Sequence, residues 1–355
     1  MNVRGMEADS AYTISLPEGC KHCREGSKMV LLVTGRCRGT CYYCPLSGEK
    51  KGKDVTYANE MRVKDERDVI EEARSIGATG TGITGGDPLA VLDRTIGHIR
   101  LLKGEFGEMH HIHLYTCTID PDAVRRLEEA GLDEIRFHPP TEDWEEVLSS
   151  ALPAIVARTK MDIGLEVPVI PGMKKELVAL ILSAEEMGMD FVNLNELEFS
   201  ETNWERLRER GFGVKDEVSA AVTGSEELAL ELLEMGFDIP LHYCSASFKD
   251  AVQLRRRLIR RAERTASESD VITEDGTLLK GIIECEDPVG MMRLLGEEYE
   301  VPAELMRLDL EKERLEVAPW ILEELAEELD CDSFIVEEYP TADRLEVERE
   351  PLRRR

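Results

Sequence analysis

The 355-residue sequence is poor in several things at once. It holds a single glutamine, Gln253, and aromatic residues make up only 5% of it. No apolar run approaches the ~20 residues that span a bilayer. Residues 1–17 lack the basic start and apolar stretch of a secretory signal, so a soluble, cytoplasmic protein is expected. Positive charge is in deficit too: 44 Lys+Arg against 73 Asp+Glu gives 44 − 73 = −29. A field of that sign repels phosphate, which excludes sequence-independent wrapping of nucleic acid and adhesion to an anionic membrane. Disorder is excluded as well, because a 42% hydrophobic content can fill a core. Abundant Glu and Arg with few amides suit a host with a hot or salty cytoplasm.

The remaining sequence alternates short apolar runs with helical patterns. Strands are expected over 29–34, 82–84, 111–116, 134–138, 163–170 and 191–199. Helices are expected between them, over 64–76, 89–103, 121–130, 144–159 and 174–187. Asp120-Pro121 is a helix start, an acid cap before a Pro at the first helical position. Gly77, Gly131, Gly188 and Gly236 stand where helices end. Repeated βα units with short connections argue for a parallel sheet flanked by helices, open or closed into a barrel. Residues 240–245 are compatible with one further strand. After Ser269 the pattern changes to hairpins around Asp275-Gly276 and over 306–317, with helices over 290–299 and 320–329. That is a separate small α+β domain. The expected division is an N-terminal extension (1–28), a βα domain (29–264) and the small domain (265–355).

Nine cysteines in a cytosolic protein need a reason. Cys37, Cys41 and Cys44 have the spacing C-x3-C-x2-C, directly after the first strand. In βα folds chemistry gathers on loops at that end of the strands. Three thiolates on one loop can bind three irons of a cubic iron–sulfur cluster and leave the fourth open. A structural zinc would want a fourth close ligand, which the loop lacks; by spacing alone zinc stays the second choice. Cys20-Lys21-His22-Cys23 is a C-x2-C half-site. Cys244 and Cys117 are its candidate partners. Cys20, Cys23 and Cys244 are read as ligands of a second iron–sulfur cluster or a zinc, with a redox pair or idle thiols as alternatives.

Strand alternation sorts the inner wall. His111, His113 and Tyr115 share one face of the third strand, and Arg136 and His138 one face of the fourth. Glu166 and Pro168 are in phase with Ile170 on the fifth strand, and Asn193 with Asn195 on the sixth. Apolar residues occupy the opposite phase, so a polar lumen is expected, with Tyr115, Arg136 and Glu166 as catalytic candidates.

The C-x3-C-x2-C loop, with aromatic Tyr43 before its last Cys, resembles the radical S-adenosylmethionine superfamily. Gly85-Gly86-Asp87-Pro88 is similar to that family's Gly-Gly-Glu-Pro motif, with Asp in place of the commoner Glu. Val169-Ile170-Pro171-Gly172 resembles its G-x-I-x-G segment. Within the superfamily the likeness is to uncharacterised archaeal relatives of glycyl-radical (pyruvate formate-lyase) activating enzymes. The resemblance implies a partial (β/α)6 barrel over about residues 29–260, a [4Fe-4S] cluster on Cys37, Cys41 and Cys44, and S-adenosylmethionine as cofactor. It places Tyr43, Gly85, Gly86, Asp87, Pro88, His113, Ile170 and Asn195 around that cofactor, with the Gly-Gly-Asp-Pro backbone on its amino group and Ile170 against adenine. It further implies reductive cleavage to a 5′-deoxyadenosyl radical, hydrogen abstraction from a protein or small metabolite, and an electron donor of the ferredoxin or flavodoxin type. RNA modification is the second reading. Its one hint is the segment 249–264, with seven basic and two acidic residues. A non-catalytic iron–sulfur or metal-bound scaffold is the third.

Overall fold

A computed structural model describes residues 2–216 and 219–353. The chain divides into two compact units, Met1–Arg74 with Ala78–Leu254, and Ser75–Gly77 with Arg255–Arg355. This differs from the sequence-based division at both ends. Residues before 29 belong to the first unit, and the basic helix Arg255–Thr265 belongs to the second.

The first unit is built on seven parallel strands: β1 (Lys28–Leu32), β2 (Gly80–Thr84), β3 (His111–Thr116), β4 (Glu134–Phe137), β5 (Asp162–Val169), β6 (Phe191–Glu196) and β7 (Leu241–Cys244). They are hydrogen-bonded in chain order, as βα units with short right-handed connections require. β7 extends the expected six. β1 and β7 do not pair with each other. Tyr57–Ala58 flanks β1 and Ala11–Tyr12 flanks β7, both antiparallel, so the barrel is partial.

The sheet is nonetheless strongly curled. Strands lie about 4.8 Å apart, so β1 and β7 would be separated by roughly 29 Å in a flat sheet. Yet Lys28 of β1 and His242 and Cys244 of β7 line one cavity of about 120 Å³. The outward phase packs as expected: Ile112, Leu114, Ile135 and Phe137 are wholly buried.

Helix α1 (Glu18–Arg24) lies against the starts of the inner strands, where the Gly19 N–H donates to Glu134 Oε2 at 3.0 Å. A Cβ at Gly19 would stand 2.4 Å from His113 Nδ1, so only glycine allows this approach. Asp120 caps the helix Pro121–Glu129 as the sequence suggests, accepting from the N–H groups of Asp122 and Ala123. The helix expected over 144–159 is broken. Thr141–Ser149 is a 3₁₀ stretch and Leu152–Val156 a short α-helix, because Ser150 Oγ takes the Leu152 N–H and Pro153 has none to offer.

The second unit carries an antiparallel sheet of β8 (Leu278–Glu284), β9 (Met306–Asp309), β10 (Arg314–Val317), β11 (Asp332–Glu338) and β12 (Glu346–Arg353), in the order β9-β10-β8-β11-β12. Ile283, Leu295, Leu315, Val317 and Leu322 form its core beneath Pro288–Glu298 and Pro319–Leu325. This is the small α+β domain expected. None of the helices among the described residues is long and apolar enough to cross a membrane.

Candidate functional site

The cysteine loop leaves β1 at its C-terminal end and is held by its backbone. Asn203 Nδ2 donates to Tyr43 O at 2.9 Å, Thr202 Oγ1 to Leu46 O at 2.8 Å, and Arg206 Nη1 to Cys41 O at 3.3 Å. The side chains of Cys37, Cys41 and Cys44 stay at least partly exposed and unbridged. Charge on Cys37 or Cys44 is felt by Cys41, whose thiol is raised chiefly by burial. The Cys37 thiol is drawn down to about 6, first by a hydrogen bond with Cys117 at 3.8 Å and then, against burial, by the Gly39 N–H. Three thiols on one loop whose backbone is anchored by hydrogen bonds, with no fourth ligand in the loop, suit a cluster that keeps one iron open.

Gly85-Gly86-Asp87-Pro88 runs alongside. The Gly86 N–H donates to Thr34 O at 2.7 Å and the Asp87 N–H to Arg36 O at 2.8 Å. A Cβ at Gly86 would lie 2.3 Å from Arg36 O, which explains that glycine. The Asp87 carboxylate is buried and committed. It accepts from Thr116 Oγ1 at 2.7 Å, from Thr118 Oγ1, from Cys117 Sγ and from the Leu89 N–H. It braces the motif against the end of β3.

Below this rim the polar phase of the strands forms one network. Glu166 on β5 accepts from Arg136 Nη1 (3.0 Å), Asn193 Nδ2 (2.7 Å) and Asn195 Nδ2 (2.8 Å). Burial alone would raise its carboxyl. Arg136 and the two amides outweigh that and hold it below the usual carboxylate range. Arg136 also pairs with Glu134 and donates to the Tyr115 hydroxyl at 3.4 Å. His113 Nε2 meets the same hydroxyl at 3.1 Å, and burial keeps that imidazole neutral. His138 joins rim to interior: one ring nitrogen contacts Tyr43 OH at 3.2 Å and the other the Glu166 carbonyl at 2.6 Å. Ile170 is buried at the end of β5.

The structure thus gathers Tyr43, Gly85, Gly86, Asp87 and the three loop thiols at the rim. It gathers His113, Tyr115, Arg136, Glu166 and Asn195 beneath. Cys20, Cys23 and Cys244 line the interior cavity, apart from the loop. Cys117, the other candidate partner of the C-x2-C pair, instead stands beside Cys37. Among the described residues no three His, Cys, Asp or Glu side chains are placed to hold a single metal ion. A zinc at Cys20, Cys23 and Cys244 therefore gains no support. Sequence reasoning missed Lys28, His242, Lys249 and Gln253 in the cavity wall. His242 had a usable signal, being two residues from Cys244 and so on the same strand face. Lys28 and Lys249 had none.

The family described as the radical SAM superfamily matches residues 31–156, and one described only as a domain of unknown function matches 276–352. The chain is 43% identical over 356 residues to a protein of Methanocaldococcus jannaschii described as "Putative glycyl-radical enzyme activating enzyme", covering 95% of this chain and 93% of that protein. The chain belongs to the radical S-adenosylmethionine superfamily. Solved structures with some likeness are SuiB of Streptococcus suis bound to S-adenosylmethionine (10% identity, TM-score 0.40, 62% of this chain and 50% of that one) and methylornithine synthase PylB (14%, 0.40, 60% and 65%). The chain spans about half to two thirds of those structures, and the likeness is too low to carry an argument.

The superfamily match over residues 31–156 takes in the rim. It does not reach the basic segment, of which three arginines are engaged within their own unit. Arg255 pairs with Asp275, Arg260 donates to the carbonyls of Ile76 and Gly77, and Arg261 donates to Ser75 Oγ. Three of the seven basic residues are thereby committed to contacts within the second unit.

Proposed function

We propose that this chain is a cytoplasmic radical S-adenosylmethionine enzyme that acts on a protein or a small metabolite, with an external donor of the ferredoxin or flavodoxin type. Cys37, Cys41 and Cys44 would hold a [4Fe-4S] cluster. When bound, that cluster supplies the electron for reductive cleavage of S-adenosylmethionine to a 5′-deoxyadenosyl radical. The observation that carries the reading is the stacking of two layers on the same strands: a rigid thiol loop beside a Gly-Gly-Asp-Pro turn, above a buried polar lumen.

The chain's own residues have separable tasks. The Asp87 carboxylate fixes the turn so that backbone groups of Gly85, Gly86 and Pro88 can meet the cofactor's amino group. Ile170, buried at the end of β5, would back the surface on which adenine lies. Tyr43 and His138 keep the loop in register with the lumen. His113 and Asn195 serve the cofactor side of the lumen, while Tyr115, Arg136 and Glu166 supply it with charge and hydrogen bonds and exclude bulk water from the reacting atoms. The name of the archaeal relative favours a polypeptide carrying a glycine as substrate. An open cavity of about 660 Å³, lined by Phe199, Thr202, Arg206 and their neighbours beside the cysteine loop, is a candidate place for such a segment.

The test is anaerobic reconstitution with iron and sulfide, followed by dithionite and S-adenosylmethionine. 5′-Deoxyadenosine is the expected product, and its absence from cluster-loaded protein would sink the reading. Deuterium transfer into 5′-deoxyadenosine from labelled candidates then separates a polypeptide from a small molecule.

A further inference from the structure

The thiols that the rim does not use face the barrel interior. Cys20 and Cys23 come from consecutive turns of α1 and Cys244 from β7; all three are buried and line the 120 Å³ cavity. Nitrogen donors are aimed at the sulfurs. Arg136 Nη2 and Asn193 Nδ2 stand 3.4 and 3.5 Å from Cys20 Sγ, Gln253 Nε2 stands 3.9 Å from Cys244 Sγ, and Lys28 reaches Cys23. Lys28, Arg136 and Lys249 supply positive charge to the same wall.

His242 adds an independent observation. It lines the cavity, it is 3% exposed, and its Nε2 has no hydrogen-bond partner. Its Nδ1 lies 3.2 Å from Asn193 Oδ1. Asn193 Nδ2 donates to Glu166 and Cys20, so the amide oxygen accepts here, and Nδ1 must carry the ring proton. Nε2 is left as a bare lone pair. An imidazole whose far nitrogen is pinned in this way is oriented as a metal ligand is.

We propose that Cys20, Cys23, His242 and Cys244 hold a second iron–sulfur cluster inside the barrel. A single zinc draws its donors to about 2.0–2.3 Å from one point, and no three side chains of the described residues stand so. The cavity instead has the volume of roughly four waters at about 30 Å³ each. That space between the donors suits an inorganic core of several atoms. Lys28, Arg136 and Lys249 offset part of the charge that thiolates bring into a low-dielectric interior, with Arg136 shared by Glu134 and Glu166 and Lys249 by Glu198.

The proposal is separable from the rim chemistry. In the Cys37→Ala, Cys41→Ala, Cys44→Ala variant, reconstituted anaerobically with iron and sulfide, one cluster's iron and acid-labile sulfide per chain should remain. Adding Cys20→Ser or Cys244→Ser should remove it, and adding Cys285→Ser should not. His242→Cys should keep the iron and change the electron paramagnetic resonance spectrum, while His242→Ala should lower cluster content. Loss of all iron in the triple variant, zinc without sulfide, or iron indifferent to Cys20→Ser and Cys244→Ser overturns the proposal. The same count can be made with the rim intact. There Cys20→Ser with Cys244→Ser should lower iron about twofold, while the remaining cluster still responds spectroscopically to S-adenosylmethionine. An unchanged iron count in that folded variant also overturns it. Failure of the wild-type chain to form 5′-deoxyadenosine would defeat the enzyme reading and leave this iron count untouched.

Discussion

In the C-terminal unit Lys280, Arg314, Glu316 and Glu338 are almost wholly buried, and each meets opposite charge. Lys280 pairs with Asp270 at 2.8 Å and Glu316 at 3.2 Å, Arg314 with Glu338 at 2.8 Å and Glu316 at 3.0 Å, and Arg344 closes the ring onto Asp309 and Glu316. The barrel interior of the first unit pairs Arg136 with Glu134 and Glu166 and Lys249 with Glu198, but among the described residues leaves Lys28 outside any ion pair. Lys28 has the Tyr115 hydroxyl at 3.5 Å and Cys23 as partners, with no carboxylate in an ion pair. His242 Nε2 and His113 Nδ1 have no hydrogen-bond partner, and His242 lines the cavity. In the C-terminal network each charge lies within ion-pair distance of an opposite one, although Asp309 Oδ2 and Arg314 Nε make no hydrogen bond, and such a network holds a fold together. An unsaturated one beside a cavity is stabilised by what enters it.

The comparison can be broken in several ways, and the largest effect belongs to the rim. Cys37→Ala, Cys41→Ala or Cys44→Ala should abolish 5′-deoxyadenosine formation while leaving thermal unfolding of the C-terminal unit unchanged. Residual turnover in any of the three would detach the chemistry from this loop.

Lys280→Met and Lys28→Met form the sharper pair. Removing Lys280 strands Asp270 and Glu316 and should cost about 3–5 kcal/mol of stability, measured by urea unfolding. Removing Lys28, which makes no ion pair among the described residues and acts on Glu166 only across the cavity, should change the stability of the metal-free protein by less than about 1 kcal/mol. Equal losses would show that the two interiors are built alike.

Acid should also separate the units. All seven histidines lie between His22 and His242, in the first unit. Burial lowers the imidazoles of His98, His111 and His113, and takes His110 down to about 4. With folded values below the unfolded one, near 6.5, the unfolded chain binds more protons in between. This stability is complete above pH ~6.5 and is lost as pH falls toward about 4. In the second unit burial raises Glu316, Glu338 and Asp309, but their cationic neighbours win and lower all three. Its stability is complete above the ordinary carboxylate range of about 4 and declines only below it. Hydrogen exchange at pH 5 should therefore find the first unit weakened and the second intact.

The smallest effect is expected at Asp87. Asp87→Asn keeps one acceptor for Thr116 or Thr118 and should cost about 1 kcal/mol in cofactor affinity, roughly fivefold in Kd. Asp87→Ala, which strands both hydroxyls, should cost more.

Much of the rim was legible before folding was considered. C-x3-C-x2-C after a strand, Gly-Gly-Asp-Pro after the next and the period-2 polarity of residues 111–115 are local signals, and the structure brings them together. The break at Ser150 was less legible, because a hydroxyl capturing a neighbouring N–H competes with a helical pattern that still looks continuous. The commitment of Asp87 to Thr116, Thr118 and Cys117 could not be read, since those residues lie about 30 positions away.

What the sequence determined by itself is the order of βα units, the composition of the thiol loop and the phase that faces inward. These follow from spacings of two to seven residues along the chain. Only the tertiary structure decided that Lys28, Cys20, Cys23, His242 and Cys244 share one cavity. Their convergence depends on how far seven strands curl before the sheet ends. That curvature is set by packing across more than 200 residues, and no local spacing records it.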